Sequence, residues 1–397
     1  MTLRKYSNTA SPTIDYLTQL CRLELPPTVL SVALSEEIKS AFQSDAVTLL
    51  WLSTESKRVM MMHESAQQMS WAWSHADVIR QFFLGQFLSA ELCGVIDVRH
   101  PLLELLAERC PSFSATCSAS NRALLVKLKI ANDVVGMILI HRHESRSFST
   151  AEKAALCRLV PMIASALRIE ENFNSCALAT NESEAGLVLF NGAMEIQSAS
   201  CRGWKLMQLA QFNDSSGDIA SCHSGLIDRL RAHFGADGVS RTSQFVYQNS
   251  WGSFELVLHR LCDAEIQPNQ ALAVSIYRQE PLALNVLRGC RNVRLTEKQT
   301  EIALLLVKGH SYDVVAKQLR IRPTTVVDHV RKMYDKLGAV NRSELITALL
   351  LSAKHVRTAL PLPQESLTWN DGRAVMHREL TNSRNRQTKE TVRGNAI

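Results

Sequence analysis

The chain has 397 residues, a length that accommodates two or three domains, each able to bury its own core. Hydrophobic residues make up 46% and charged residues 21%, which excludes a disordered or fibrous chain, and no apolar run approaches the ~18–20 residues of a bilayer-spanning helix. The formal charge of +6 is unevenly placed: residues 291–357 alone carry +7, whereas residues 1–290 sum to −3.

Residues 1–29 are polar, contain Pro26-Pro27 and read as a lead-in. No apolar segment of signal type follows residues 1–7, so the cytoplasm is the expected compartment. The ten cysteines include no Cys-x-x-Cys pair and read as buried thiols of a reducing compartment, Cys110 and Cys117 being the nearest two. "AVTLLWL" (46–52) and "VMMMH" (59–63) flank a polar turn and predict a hairpin. Val126, Leu128 and Ile130 alternate with Lys127 and Lys129, predicting one buried and one wet face, and "VVGMILI" (134–140) predicts a more deeply buried strand. In "FSTAEKAALCRLVPMIASALRIEENF" (148–173), Ser149 and Glu152 form a capping box ahead of a long amphipathic helix that contains Pro161. This order of elements resembles a GAF domain over residues 30–173.

A second unit, residues 174–284, opens with the strand "GLVLF" (186–190) and the turn pair Asn191-Gly192. "GWKLMQLAQF" reads as a helix, and "FELVLHRL" (254–261) and "ALAVSIYR" (271–278) as strands, an order that resembles a PAS-like sensor. The tail, 359–397, is rich in Pro, Asn, Ser, Thr and Arg and predicts disorder.

Residues 285–358 carry the sharpest signal. Thr296 and Gln299 form a capping box, Ile302, Leu305 and Leu306 give an apolar face, and Gly309 stops the helix. Ser311 caps a shorter helix, Pro323 suits the first turn of a third, and Ser343 opens a fourth. In the third helix Val326, Val330, Met333 and Leu337 share one face, so Thr324, Thr325, Val327, Asp328, Arg331 and Lys332 point away from it. Two short helices joined by a tight turn, the second presenting polar residues near its start, form the arrangement that enters the DNA major groove. The concentrated positive charge fits phosphate binding, with a solvated face as the plainer alternative.

Leu295-Thr296, Glu301, Gly309-x-Ser311, Ala316-x-x-Leu319-x-Ile321, Thr325-Val326-x-x-His329 and Lys336-Leu337-Gly338-x-x-Asn341-Arg342 together resemble the LuxR (GerE/NarL-type) helix-turn-helix family. The resemblance implies a recognition helix over residues 324–336, base or backbone contacts from Val327, Asp328 and Arg331, and phosphate contacts from Lys332, Lys336 and Arg342. It also implies a homodimer paired through the fourth helix on double-stranded DNA. The family commonly has Lys at the position of Val327 and Ser at that of Arg322; Arg320 and Arg322 can supply the missing charge from beside the turn.

The expected fold class is therefore an α+β multidomain chain: a GAF-like α/β sensor, a PAS-like α+β unit and an all-α, four-helix LuxR-type domain. The expected function is a DNA-binding transcription regulator, and the alternative is a non-catalytic interaction or dimerisation module with a degenerate helix-turn-helix. No hydrolase elbow, Walker loop, His-Glu-x-x-His or kinase signature occurs, so no enzyme is expected, and neither a cofactor nor a metal. Trp71, Trp73 and His75 could line a pocket for a small-molecule effector of unidentified chemistry, with core packing as the plainer role. RNA polymerase is a further partner that a regulator of this kind admits, and no membrane is expected. His329 suits packing beside the core stripe, and His141-Arg142-His143 lacks a nearby third ligand.

Overall fold

The computed structural model describes residues 10–53, 59–65, 95–97, 122–131, 133–142, 147–168, 178–180, 185–211, 224–235, 242–261, 271–354, 367–370 and 373–376. Within the expected lead-in, Tyr16, Leu17, Leu20 and Cys21 recur at helical spacing and are buried in helix α1 (Ala10–Cys21). Pro27 then starts helix α2 (Pro27–Ala41), where its fixed φ and missing N–H cost nothing. Helix α2 and α3 (Thr150–Ala166) pack on the first sheet, and α1 packs against both of them. The predicted capping box opens α3: the Ser149 hydroxyl accepts from the Glu152 amide at 3.2 Å while the Glu152 carboxylate accepts from the Ser149 amide at 2.6 Å.

The sheet is antiparallel in the order β2-β1-β5-β4-β3, from β1 (Ala46–Leu52), β2 (Val59–Ser65), β3 (Val95–Asp97), β4 (Arg122–Ile130) and β5 (Asp133–Arg142). The predicted hairpin is β1–β2. The alternation expected in β4 fails, because Lys127 is 6% exposed and Leu125 is buried with it. Both faces of this strand are covered, so the period-two pattern reports the chemistry of the residues and not their exposure. Lys127 stands opposite Met137, on the face that also carries Thr48, His63 and His141. Burial holds both imidazoles neutral, His63 pushed down to about 3 and His141 to about 4, and the Thr48 hydroxyl lies 2.9 Å from His63 Nδ1.

The second sheet runs β8-β7-β11-β10-β9, with β6 (Leu178–Thr180) pairing the end of β11. Its strands are β7 (Gly186–Phe190), β8 (Ile196–Ala199), β9 (Thr242–Asn249), β10 (Gly252–Leu261) and β11 (Ala271–Pro281). Helix α4 (Cys201–Gln211) packs on it, and α5 (Ser224–Gly235) lies against α4. Val188, Phe190, Phe254, Leu256, Val274 and Ile276 are buried on the inner face, while the alternate Leu187 and Val246 are exposed.

Apolar and ionic contacts join the two sheets. The Trp51 and Trp251 rings meet edge to face with centroids 6.0 Å apart. Glu36 of α2 accepts from Lys205 at 2.7 Å and Arg202 at 3.2 Å, both on α4, and lies 3.8 Å from Arg288. Lys205, 5% exposed, also pairs with Glu64 of β2, and Arg288 with the buried Glu280.

Arg288 belongs to helix α6 (Leu282–Asn292), which the sequence reading did not separate. Leu284 and Leu287 of α6 enter the large core shared by the two sheets, whereas Val286 and Cys290 enter a separate core built by the helices that follow. Those helices are α7 (Glu297–Val307), α8 (Tyr312–Leu319), α9 (Pro323–Leu337) and α10 (Arg342–Lys354). The expected four-helix domain is thus a five-helix packing, because the second face of α6 completes its core. The α+β class itself holds: two antiparallel sheets with helices, then an all-helical segment. Residues 355–397 form a separate unit, whose described part is the antiparallel hairpin β12 (Leu367–Asn370) and β13 (Arg373–Met376); the rest of the tail for which composition predicts disorder lies outside the described residues.

Candidate nucleic-acid interface

Local chemistry fixes each helix of the C-terminal segment. At the start of α7 the Thr296 hydroxyl accepts from the Gln299 amide at 3.3 Å and the Gln299 side chain accepts from the Thr296 amide at 3.0 Å. Gly309, at φ 92°, ends the helix in a conformation that L side chains rarely adopt. Ser311 caps α8 through the Val314 amide at 3.4 Å. Asn341, not Ser343, caps α10: its side-chain oxygen accepts from the Glu344 amide at 2.9 Å while Glu344 accepts from the Val340 amide at 3.0 Å.

Between α8 and α9 the chain turns through Arg320, whose φ of 53° and ψ of 44° lie in the left-handed region. Its amide and that of Ile321 return to carbonyls in the last turn of α8, at 3.3 Å to Lys317 and 3.0 Å to Ala316. Arg322 precedes α9 without a side-chain cap, Pro323 holds the first turn, and Gly338 closes the helix at φ 65°. Val326, Val330 and Met333 are buried in the domain core, as the stripe predicted.

The opposite side of α9 is open. Arg322, Thr324, Asp328, Arg331 and Lys332 are exposed, Arg320 is exposed at the turn, Thr325 is partly buried, and Val327 is 47% exposed. Among the described residues, Arg320, Arg322, Arg331 and Lys332 make no ion pair or side-chain hydrogen bond with the rest of the protein. The sheet-bearing region meets the domain elsewhere, at α7 and α6: Arg22 lies 3.8 Å from Glu297 and 3.7 Å from Glu301, Glu24 lies 3.5 Å from Lys308, and Arg291 pairs with Glu37 at 2.5 Å.

Two expected phosphate ligands are engaged inside the domain. Arg342 donates to the carbonyl of His310 at 3.1 Å and to that of Leu306, fastening α10 to the end of α7, so its guanidinium serves as a structural clamp. Lys336 donates to the Arg294 carbonyl at 3.0 Å. Near this clamp the Tyr334 hydroxyl is pushed up to about 12 by burial and its hydrogen bond with Tyr312. Lys317, absent from the expected set, is exposed on α8 and adds a cation beside the turn. Its signal was legible, since it lies between the buried Val315-Ala316 pair and Leu319 on the outward side. Trp71, Trp73 and His75 lie outside the described residues, as do His143 and the Cys110–Cys117 pair. Among the described residues no group of three or more His, Cys, Asp or Glu side chains could hold a metal ion, and no helix is long and apolar enough to cross a membrane.

A helix that presents free cations and a carboxylate beside an exposed apolar side chain, held at a fixed angle by a preceding helix and tight turn, has the form that lies in a major groove about 12 Å wide. Residues 293–349 match the model of the family described as bacterial regulatory proteins, luxR family. Over 56 residues the chain is 34% identical to the HTH-type transcriptional regulator MalT of Yersinia pestis (strain Pestoides F), a match that covers 14% of this chain and 6% of that protein. The same shares and identity relate it to MalT of Serratia proteamaculans (strain 568). Among solved structures, a GAF domain from an Acinetobacter phosphoenolpyruvate-protein phosphotransferase aligns with 41% of this chain and 93% of its own, at 12% identity and a TM-score of 0.28. A Vibrio cholerae VqmA–ligand–DNA complex aligns with 44% of this chain and 85% of its own, at 15% identity and a TM-score of 0.20. Residues 293–349 are a helix-turn-helix domain of the luxR family.

Proposed function

We propose that the chain is a non-catalytic, DNA-binding transcription regulator whose helix α9 enters the major groove, two copies occupying two half-sites. The carrying observation is the outward side of α9, where Arg322, Arg331 and Lys332 are exposed and make no ion pair with the protein's own body. Arg331 reads base edges or grips backbone, while Arg320, Arg322 and Lys332, with Lys317 of α8, neutralise phosphates. The two sheet-bearing units modulate this activity in response to a small molecule or a protein such as RNA polymerase, through the contacts that Arg22, Glu24 and Glu37 make with α6 and α7.

The test is binding of the full chain to a randomised duplex pool, followed by titration of the enriched duplex at increasing salt. With four cations assigned to phosphates, Lys317, Arg320, Arg322 and Lys332, the slope of log K against log salt is expected near −3 to −4 per copy. Arg331→Ala is expected to weaken specific binding by about 5- to 150-fold. A protein-interaction module would tolerate both added salt and the substitution, and failure to enrich any duplex at low salt would remove the proposal.

A further inference from the structure

The exposed start of α9 is not uniformly polar. Val327 lies three residues after Thr324 and four before Arg331, and Asp328 lies four after Thr324 and three before Arg331, so each is a surface neighbour of both over the first two turns. Val327 is 47% exposed at the centre of this group, flanking the buried Val326 and Val330 without joining them. A lone exposed valine elsewhere would need no explanation, but here the side chain sits among the groups that face the groove. Its isopropyl group can neither donate nor accept a hydrogen bond, and a β-branched residue does not improve the helix. Among the base edges of the major groove, the complementary apolar feature is the methyl on C5 of thymine.

We infer that Val327 selects a pyrimidine bearing a C5 methyl at one position of each half-site. The inference rests on the proposed DNA-binding role. Asp328 beside it accepts only from an exocyclic amino group and is repelled by acceptors, the guanine N7 and O6 and the thymine O4 alike, so it favours a cytosine or adenine edge next to the methyl. Thymine and 5-methylcytosine carry the same methyl, and Val327 does not distinguish them by itself.

The experiment uses the full chain and the duplex enriched from the randomised pool, resynthesised with each thymine replaced in turn by uracil, a change that removes only the methyl. At one thymine per half-site, uracil is expected to weaken binding about fourfold, the effect of burying one methyl group. Val327→Ser abolishes that difference, whereas Val327→Ile retains it. At the same position 5-methylcytosine is expected to bind more tightly than cytosine by a similar factor, in the wild type and in Val327→Ile but not in Val327→Ser. Enrichment of a duplex with no thymine whose methyl matters, or a methyl effect that persists in Val327→Ser, overturns the inference and leaves the regulator reading standing. Absence of any enriched duplex overturns both. Val327 lies outside the core, so the variants fold, and an unchanged melting curve checks this.

Discussion

Replacing Gly289 by alanine should destabilise the chain, although the same change stabilises most helix interiors by about 0.8–1 kcal/mol. A β-carbon at this position would lie 2.0 Å from the Leu349 carbonyl oxygen, 2.7 Å from its carbon and 3.1 Å from the Leu349 Cα. All three are backbone atoms of α10, so no rotamer relieves the contact. Reaching an ordinary separation of 3.4 Å requires α6 and α10 to part by about 1.4 Å. A gap of that size removes a quarter or more of the dispersion attraction of Val286, Cys290, Leu345 and Leu349, which form the seam, at a cost of about 2–4 kcal/mol after partial relaxation. Net of the propensity gain, about 1–3 kcal/mol is lost, and amide hydrogens in α6 and α10 should exchange about 5- to 150-fold faster. The assay is hydrogen exchange of the full chain with peptide-level readout. Unchanged or slower exchange in these helices would show that the seam is not tight at Gly289 and refute the reasoning.

Three further outcomes are expected. Glu36→Gln leaves Lys205 with Glu64 alone and removes a carboxylate that Arg202 and Arg288 also face, and should lower the urea-unfolding stability by about 1–3 kcal/mol. An unaltered midpoint would mean that this junction contributes nothing. His63 and His141 titrate near 6.5 when unfolded but only near 3 and 4 when folded, so between pH 6.5 and about 4 the unfolded chain holds more protons. Stability is therefore full above pH 6.5 and declines as the pH falls through that window, and His63→Gln should flatten the slope between pH 6.5 and 5. Burial pushes the thiols of Cys21 and Cys290 up to about 12, so iodoacetamide should modify the exposed Cys157 and Cys201 at neutral pH while sparing these two until the chain unfolds, as peptide mass spectrometry would report.

The helix-turn-helix was largely legible in the sequence because its signals are local. Thr296 with Gln299, Ser311, Pro323 and Gly338 mark helix ends within a few residues of themselves, and the Val326, Val330, Met333 stripe needs only one helix to be read. Helix α6 escaped although Asn285, Arg288, Arg291 and Asn292 do fall at helical spacing, because its apolar residues serve two different cores, Leu284 and Leu287 one and Val286 and Cys290 the other, and it follows β11 without a break. Helix α1 escaped for another reason: Ile14, Leu17 and Leu20 do have helical spacing, but the surrounding Thr, Ser and Pro residues drew the eye to composition. Lys127 and Arg342 show the limit of reading a cation as solvent-facing or phosphate-facing. Whether it instead closes a core or clamps a helix end depends on carbonyls and carboxylates that are remote in sequence.

The turn before α9 places an arginine where the backbone geometry suits glycine. Holding Arg320 at φ 53° costs on the order of 1 kcal/mol relative to a residue without a β-carbon. Arg320→Gly would therefore yield a sturdier protein that, on the proposed reading, holds its operator less firmly. The domain sits below its attainable ruggedness at this backbone position, and what it keeps in exchange is an exposed positive group beside the start of α9.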